Sequence, residues 1–124
     1  MNWKGVFDAA KKQHTEALVL AQATSLVPHQ PRIIELAAKN RLPAMYYDRS
    51  SVEIGGLMSY GPDRLHMDRR VASMVDKILK GRKPADIPAE QPKKFEFAIN
   101  LKTAKQIGLT IPPNVLARAD KVIR

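Results

Sequence analysis

Residues 17–47 (ALVLAQATSLVPHQPRIIELAAKNRLPAMYY) decide the fold class of this chain. The segment begins with a continuous apolar run over residues 17–21, which is typical of a strand covered on both faces. A proline then stands at the first turn of a helix predicted over residues 31–39, and residues 42–47 form a second apolar strand. A strand, a helix and a strand within about 30 residues make a βαβ unit, which requires parallel strands and a right-handed connection.

Shorter elements flank this unit. Residues 3–13 have the pattern of a short helix, residues 54–61 indicate a short strand between glycines, and residues 95–99 alternate as a half-buried strand does. Asn100 is placed to cap a short helix over residues 101–107. We therefore predict an α/β fold, a partial flavodoxin-like lobe with parallel strands flanked by helices.

Two further helices are predicted from the spacing of apolar residues. Residues 64–80 have the best helical pattern in the chain, with one apolar stripe made of Met67, Val71, Met74, Val75 and Ile78. Pro113 begins a last helix, whose expected buried face consists of Val115, Leu116, Ala119, Val122 and Ile123. Between these helices, three prolines in residues 82–92 predict an extended surface connection.

The composition is that of one globular domain, or of one lobe of a larger protein. The 124 residues are 44% hydrophobic and 27% charged, and the absence of cysteine excludes disulfides and thiolate chemistry. The first residues lack the apolar run of a secretory signal peptide, and no stretch approaches the about 20 apolar residues of a membrane span. As written, the chain is expected to remain in the cytoplasm.

Charges and motifs argue against several classes of function. Twenty-one Lys and Arg against twelve Asp and Glu give a net charge of +9, but no run reaches five like charges, so a solvated basic surface is predicted and no nucleic-acid partner. His14, His29 and His66 lie on three different elements, which predicts no metal site. No G-x-S-x-G, phosphate-loop or dinucleotide motif is present, so we expect no catalytic residues, no cofactor and no enzyme activity.

Candidate ligand-binding residues follow each of the first three predicted strands. They are Thr24 and Ser25 after the first strand, Asp48 after the second, and Ser59 and Tyr60 at the carboxyl end of the third. Ligands of open α/β sheets bind outside the carboxyl ends of the strands, where these side chains should meet. The set suits a small polar molecule whose amine meets the carboxylate, whose own carboxylate meets the hydroxyls, and whose flat part stacks on the aromatic ring. The alternative is that these are ordinary turn residues.

Several longer motifs resemble one known family. The sequence is similar to ABC transporter substrate-binding proteins of the tryptophan and tyrosine uptake type over GGLMSYG (55–61), VDKILKG (75–81), KPADIP (83–88), FEFAINLKTAK (95–105), GLTIPP (108–113) and LARADKVI (116–123). The resemblance runs nearly end to end, and it covers only the carboxyl-terminal part of such a protein.

The resemblance implies a periplasmic-binding-protein-like fold in which two α/β lobes close on a ligand. It divides the chain into a βαβ part of the ligand lobe (1–60), a hinge-crossing helix and linker (61–92), and a terminal strand with helices (93–124). Family members act in the periplasm, or anchored to the membrane outside the cytoplasm, and deliver their ligand to an ABC permease. The implied function is that of a solute-binding component that takes a small molecule of the amino-acid kind.

Two other expectations accompany this interpretation. The resemblance implies that the helix over residues 64–80 packs against a first lobe that this sequence does not contain, so its apolar stripe needs another partner. We therefore expect the chain to form homo-oligomers through this helix. The alternative function is a non-catalytic regulatory or protein-interaction module derived from such a receptor.

Overall fold

The computed structural model describes residues 1–124. The strands are β1 (Leu18–Val19), β2 (Ala44–Tyr46), β3 (Met58–Pro62), β4 (Phe95–Asn100) and β5 (Lys121–Ile123). The helices are α1 (Trp3–Lys12), α2 (Gln30–Lys39), α3 (Arg49–Glu53), α4 (Arg64–Leu79), α5 (Leu101–Ile107) and α6 (Pro113–Leu116), with short 3₁₀ helices at Thr24–His29 and Pro84–Asp86. No helix is both long enough and apolar enough to cross a bilayer.

The five strands form one sheet in the order β1-β2-β3-β4-β5. β1, β2 and β3 run parallel, and β4 runs parallel to β5. Between β3 and β4, the backbone N–H of Asn100 donates to the carbonyl of Leu57 and that of Asp63 donates to the carbonyl of Lys94, which is antiparallel pairing. The predicted α/β fold with mostly parallel strands flanked by helices is confirmed.

Two apolar clusters hold the sheet and its helices together. The first joins α1 and α2 to β1 and β2, and its buried members are Phe7, Ile33, Ile34, Leu36, Ala37, Ala44 and Tyr46. The second joins β3 and β4 to α5, and its buried members are Leu57, Ile99, Ala104, Ile107 and Ile111. Burial of each large side chain contributes about 1.5–3 kcal/mol, so these clusters are the main source of stability.

The start of α5 is anchored by a buried side chain. The Oδ1 atom of Asn100 accepts from the backbone N–H of Thr103 at 3.1 Å, and its Nδ2 atom donates to the carbonyl of Val52 at 3.2 Å. Gly108 ends the helix in the left-handed conformation, with φ of 78°. The predicted cap at Asn100 is therefore present, and it also ties α5 to α3.

The chain divides into two compact units, Met1–Gly61 with Glu96–Arg124, and Pro62–Phe95. In the smaller unit, Asp63 caps α4 by accepting from the backbone N–H of His66 at 3.0 Å. The guanidinium of Arg70 forms two hydrogen bonds with the carboxylate of Glu90, which tie α4 to the segment that follows it. The predicted division at residues 60 and 92 stays a prediction.

The smaller unit leaves much of its apolar surface in water. No residue of α4 is buried, and within the predicted stripe Val71 is 58%, Val75 48% and Ile78 39% exposed. The extended connection predicted for residues 82–92 contains one 3₁₀ turn, Pro84–Asp86.

Two sequence-based predictions are wrong. The last helix does not reach residue 123: it ends at Leu116, because Asp120 pairs with Phe97 through two hydrogen bonds of 2.8 Å and directs the following residues alongside β4 as a strand. The first strand is not covered on both faces, since Val19 is 79% exposed. The spacing of apolar residues indicates a local preference for helix at the end of the chain. Pairing with β4, which is distant in the sequence, overrides that preference and makes β5 a strand.

Candidate functional site

The candidate site lies at the sheet edge where β1, β2 and β3 end. Because these strands are parallel, the segments that follow them emerge at one edge. β4 runs opposite to β3, so its first residues lie at this edge too, and so do the first residues of β5. We call this the strand-end edge.

Asp48 follows β2 at the strand-end edge and caps α3. Its Oδ1 atom accepts from the hydroxyl of Ser50 at 2.9 Å, the hydroxyl of Ser51 at 2.9 Å and the backbone N–H of Ser51 at 3.3 Å. All three bonds go to the same oxygen, and Oδ2 takes part in none of them. The Oδ1 atom therefore has the role of an ordinary turn or capping residue, as the alternative expects. The Asp48 side chain is half-buried, and its Oδ2 atom can accept from another donor.

Gln30, the first residue of α2, was not among the predicted site residues. Its Nε2 atom donates to the hydroxyl of Ser51 at 2.9 Å, and that hydroxyl donates to Asp48. Ser51 is fully buried, so this chain of hydrogen bonds orients the Asp48 carboxylate from the interior of the protein. The signal in the sequence was the position of Gln30 at the start of the helix that follows the first strand.

The four other predicted residues lie in different environments. Thr24 and Ser25 are exposed at the start of the 3₁₀ helix after β1, and the hydrogen-bond chain through Asp48 does not include their hydroxyls. Tyr60 is 57% exposed, and its ring meets that of Phe97 edge-on at 6.5 Å. Ser59 is only 1% exposed, opposite Tyr46 in the sheet, so a ligand could reach it only after a rearrangement.

A network of ion pairs crosses the same edge. Arg49 contacts Glu53 and Glu96, each at 2.9 Å, and Lys121 contacts Glu53 at 3.6 Å. The hydrogen bond that Arg49 donates to Glu96, followed by the charge of Glu96, raises the pKa of Arg49 above its ordinary value. Single exposed pairs stabilise little, but this network links α3 to the first residues of β4 and β5. Its acidic partners come from distant parts of the sequence, which local motifs cannot reveal.

A groove of about 940 Å³ lies within the smaller unit, between α4 and residues 84–94. Its apolar lining includes Met67, Val71, Met74, Ile78, Ile87 and Pro88. None of the predicted ligand-binding residues lines this groove.

Comparison with known proteins identifies the kind of protein that has this fold. A family model for the ABC transporter substrate binding protein matches residues 6–123. No curated protein matches the sequence. Among solved structures, a conserved domain protein from Vibrio cholerae has 26% identity and a TM-score of 0.85, over 98% of this chain and 40% of its own.

Two other solved structures are similar. An ABC domain from Streptococcus pneumoniae, solved in complex with L-Trp, has 28% identity and a TM-score of 0.83, over 97% of this chain and 41% of its own. The ligand-free, open form of a substrate binding protein with adhesive properties from Clostridium difficile shares the fold, with 20% identity and a TM-score of 0.67 over 97% of this chain and 41% of its own. The present chain thus spans about 40% of the length of the structures that it matches.

Proposed function

This chain belongs to the ABC transporter substrate-binding protein family, and we propose that it supplies the ligand-holding edge of a receptor that captures a small molecule of the amino-acid kind. The observation that carries the proposal is the family match over residues 6–123, joined to a polar strand-end edge of the kind that holds ligands in α/β sheets. The L-Trp complex of the Streptococcus pneumoniae relative supports this ligand class.

Each part of such a ligand has a counterpart at the strand-end edge. The free Oδ2 atom of Asp48 suits an ammonium group, and the exposed hydroxyls of Thr24 and Ser25 suit a carboxylate. The exposed ring of Tyr60 offers a face for a flat or apolar side chain. The buried Ser59 belongs to this proposal only in a rearranged state.

In this proposal the receptor has two lobes, and residues 61–92 are the hinge-crossing helix and linker. The receptor closes on its ligand outside the cytoplasm and presents the closed form to an ABC permease. The proposed receptor catalyses no reaction. The hydroxyls of Ser50 and Ser51 donate to the carboxylate of Asp48, which caps α3. The present chain is about 40% of such a receptor.

The exposed stripe of α4 and the neighbouring groove favour a second role. Val71 and Val75 are about half exposed and adjoin apolar surface in the groove, which is the pattern of an interaction surface. We propose that the chain by itself forms homo-oligomers through α4. This surface also supports the alternative in which the chain is a non-catalytic regulatory or interaction module.

Ligand binding is tested by calorimetry with L-Trp and with its deaminated analogue, 3-indolepropionate. The protein is a chimera in which residues 6–123 replace the matched part of the Streptococcus pneumoniae chain. Asp48→Asn preserves an oxygen for the cap and removes the charge, so we expect it to weaken L-Trp binding at least about fivefold and to leave the analogue unaffected.

Tyr60→Ala should weaken both ligands by about 1 kcal/mol or more, and Tyr60→Phe, which keeps the ring, should weaken neither. Equal affinity for L-Trp in the chimera with and without these changes would remove both residues from the site. A chimera that binds neither ligand would contradict the proposed function.

Self-association is tested by light scattering on chain 1–124 at micromolar concentration. Val71→Lys should shift the oligomer towards monomer, because it places a charge in the apolar stripe. Leu65→Lys is the matched control, since Leu65 is equally exposed at 58% but lies off the stripe. A monomer in the unmodified chain would contradict the proposal.

A further inference from the structure

Asp48 places a negative charge at the strand-end edge without a positive partner. It takes part in none of the ion pairs of the chain. Its Oδ1 atom accepts from uncharged groups, the hydroxyls of Ser50 and Ser51 and the backbone N–H of Ser51. The buried Ser51 hydroxyl, held in turn by Gln30, fixes the direction of the carboxylate. An oriented carboxylate without a cation is a strong binding partner for an ammonium group.

Two cations of the same edge are already shared between carboxylates. The guanidinium of Arg49 contacts Glu53 and Glu96, each at 2.9 Å, and the ammonium of Lys121 contacts Glu53 at 3.6 Å. Two positive and two negative side chains make this network neutral as a whole. A ligand carboxylate that approached Arg49 would compete with the two carboxylates that the guanidinium already holds, so the network offers little to an anionic group.

The candidate partners of a ligand carboxylate are uncharged. They are the exposed hydroxyls of Thr24 and Ser25. A hydroxyl donates one hydrogen bond and brings no positive charge, so it compensates a carboxylate for its lost hydration less well than a cation does. A carboxylate held near Asp48 also meets a like charge. The strand-end edge therefore favours a cationic ligand over an anionic or zwitterionic one, although the whole chain has a net charge of +9.

An aromatic ring lies close to this carboxylate. The register that pairs Tyr46 with Ser59, continued by two residues, places Asp48 beside Gly61 and one residue beyond Tyr60 on the neighbouring strand. Neighbouring strands lie about 4.8 Å apart and successive residues about 3.3 Å apart, so the Cα atoms of Asp48 and Tyr60 are about 6 Å apart. Tyr60 is 57% exposed. A short aliphatic link between an ammonium group and a flat ring spans this distance.

We infer that the strand-end edge selects an aromatic primary amine, with its ammonium on Asp48 and its ring on Tyr60, and that a carboxylate on the ligand weakens binding there. Arylethylamines such as tryptamine are simple members of this class. The inference rests on the proposed function, whose ligand-binding edge it uses. It narrows the ligand class from amino acids to the amines that lack their carboxylate.

The test compares two ligands in two proteins by calorimetry. Tryptamine and L-Trp share the ring and the ammonium, and only L-Trp has a carboxylate. The proteins are the chimera described above and the unmodified Streptococcus pneumoniae protein, which share everything outside the exchanged part, so the contribution of the shared part cancels. We expect the affinity for tryptamine relative to L-Trp to be at least about tenfold higher in the chimera.

Substitutions in the chimera assign this preference to named charges. Asp48→Asn should weaken tryptamine at least about threefold more than L-Trp, because the lost charge attracts both ammonium groups and repels the carboxylate of L-Trp. Glu96→Gln removes one of the carboxylates that Arg49 contacts, so it should improve L-Trp relative to tryptamine at least about twofold. Asp8→Asn is the matched control: this exposed carboxylate lies on α1, and its loss should leave both affinities unchanged.

The possible failures are distinguishable. A relative affinity for tryptamine no higher in the chimera than in the Streptococcus pneumoniae protein, with L-Trp still bound, would overturn the inference and leave the proposed function standing. Equal losses of both ligands in Asp48→Asn would overturn it as well. A folded chimera that binds neither ligand would contradict the proposed function itself.

A second measurement decides the question if the chimera does not fold. Amide shifts of Ser51 and Tyr60 in NMR spectra of chain 1–124 report ligand binding at this edge alone. We expect tryptamine to shift both amides at a concentration at least about threefold lower than L-Trp does. Shifts that tryptamine does not produce, or that L-Trp produces at the lower concentration, would overturn the inference.

Discussion

Gly61 offers a stringent test of how closely β3 and the chain after β2 approach each other. A Cβ atom at this position would lie 1.9 Å from the carbonyl oxygen of Tyr47 and 3.1 Å from its carbonyl carbon. Both are backbone atoms, which cannot rotate out of the way as a side chain can. Gly61→Ala therefore requires the backbone at the strand-end edge to move.

The size of the effect follows from this distance. A Cβ atom essentially never lies within 3.0 Å of another atom, and ordinary contact begins at 3.4 Å, so the two segments must separate by more than about 1 Å. Overpacking of this kind costs about 1–3 kcal/mol, and separation also weakens the nearby sheet hydrogen bonds by about 1 kcal/mol. We expect Gly61→Ala to lower the free energy of unfolding by about 3 kcal/mol and the Tm by about 10 °C.

Urea unfolding followed by circular dichroism measures this cost, with Gly81→Ala as the control. Gly81 has a positive φ of 101°, and a Cβ atom there would meet nothing within 4 Å, so this variant reports the backbone penalty alone, about 1–2 kcal/mol. If Gly61→Ala costs no more than Gly81→Ala, the close approach of the two segments is wrong and so is the reasoning above.

Three further predictions concern buried polar groups and pH. Burial raises the pKa of Tyr46 to about 12. Between pH 10 and 12 the tyrosine ionises in the unfolded chain and not in the folded one, so the free energy of unfolding should fall by about 1.4 kcal/mol per pH unit. Urea titrations of Tyr46→Phe should show a smaller loss. Asn100→Ala removes a helix cap and a buried donor, so it should cost about 2–3 kcal/mol in the same assay, whereas a cost under about 0.5 kcal/mol would contradict the role of this cap. The hydrogen bond from the backbone N–H of His66, followed by the interaction with Lys94, holds the pKa of Asp63 below its ordinary value. The ionised Asp63 therefore contributes to the stability of the fold above about pH 4, and this contribution is lost as the pH falls through the lowered pKa. Thermal melts from pH 6 to pH 2 should show this loss in the unmodified chain and a weaker one in Asp63→Asn.

The fold was largely predictable where local signals and burial agree. The βαβ unit over residues 17–47 was recognised because a proline at the helix start and two apolar runs indicate the same arrangement. Helix α3 was missed because five residues are too few to show a period. Residues 113–123 were misassigned because their apolar spacing fits a helix, while the hydrogen bonds that make β5 come from β4.

The candidate site was predictable in its location and less so in its details. Strand order explains why the segments after β1 and β2 and the end of β3 meet at one edge. Ser59 and Tyr60 are neighbours in one strand, so they point to opposite faces, and this alternation already implied that only one of them would be accessible. The position of Gln30 at the start of α2 was visible in the sequence, but its hydrogen bond to Ser51 depends on the packing of α2 against α3, which no local pattern encodes.

The antiparallel pairing of β3 with β4 has a consequence for how this protein can change over time. Residues 63–94 connect β3 to its immediate neighbour β4, and the backbone N–H of Asp63 donates to the carbonyl of Lys94 where this connection begins and ends. Adjacent antiparallel strands need only a tight hairpin to connect them. Because β3 and β4 pair directly with each other, we expect insertions or deletions between them to leave the register of the two strands unchanged.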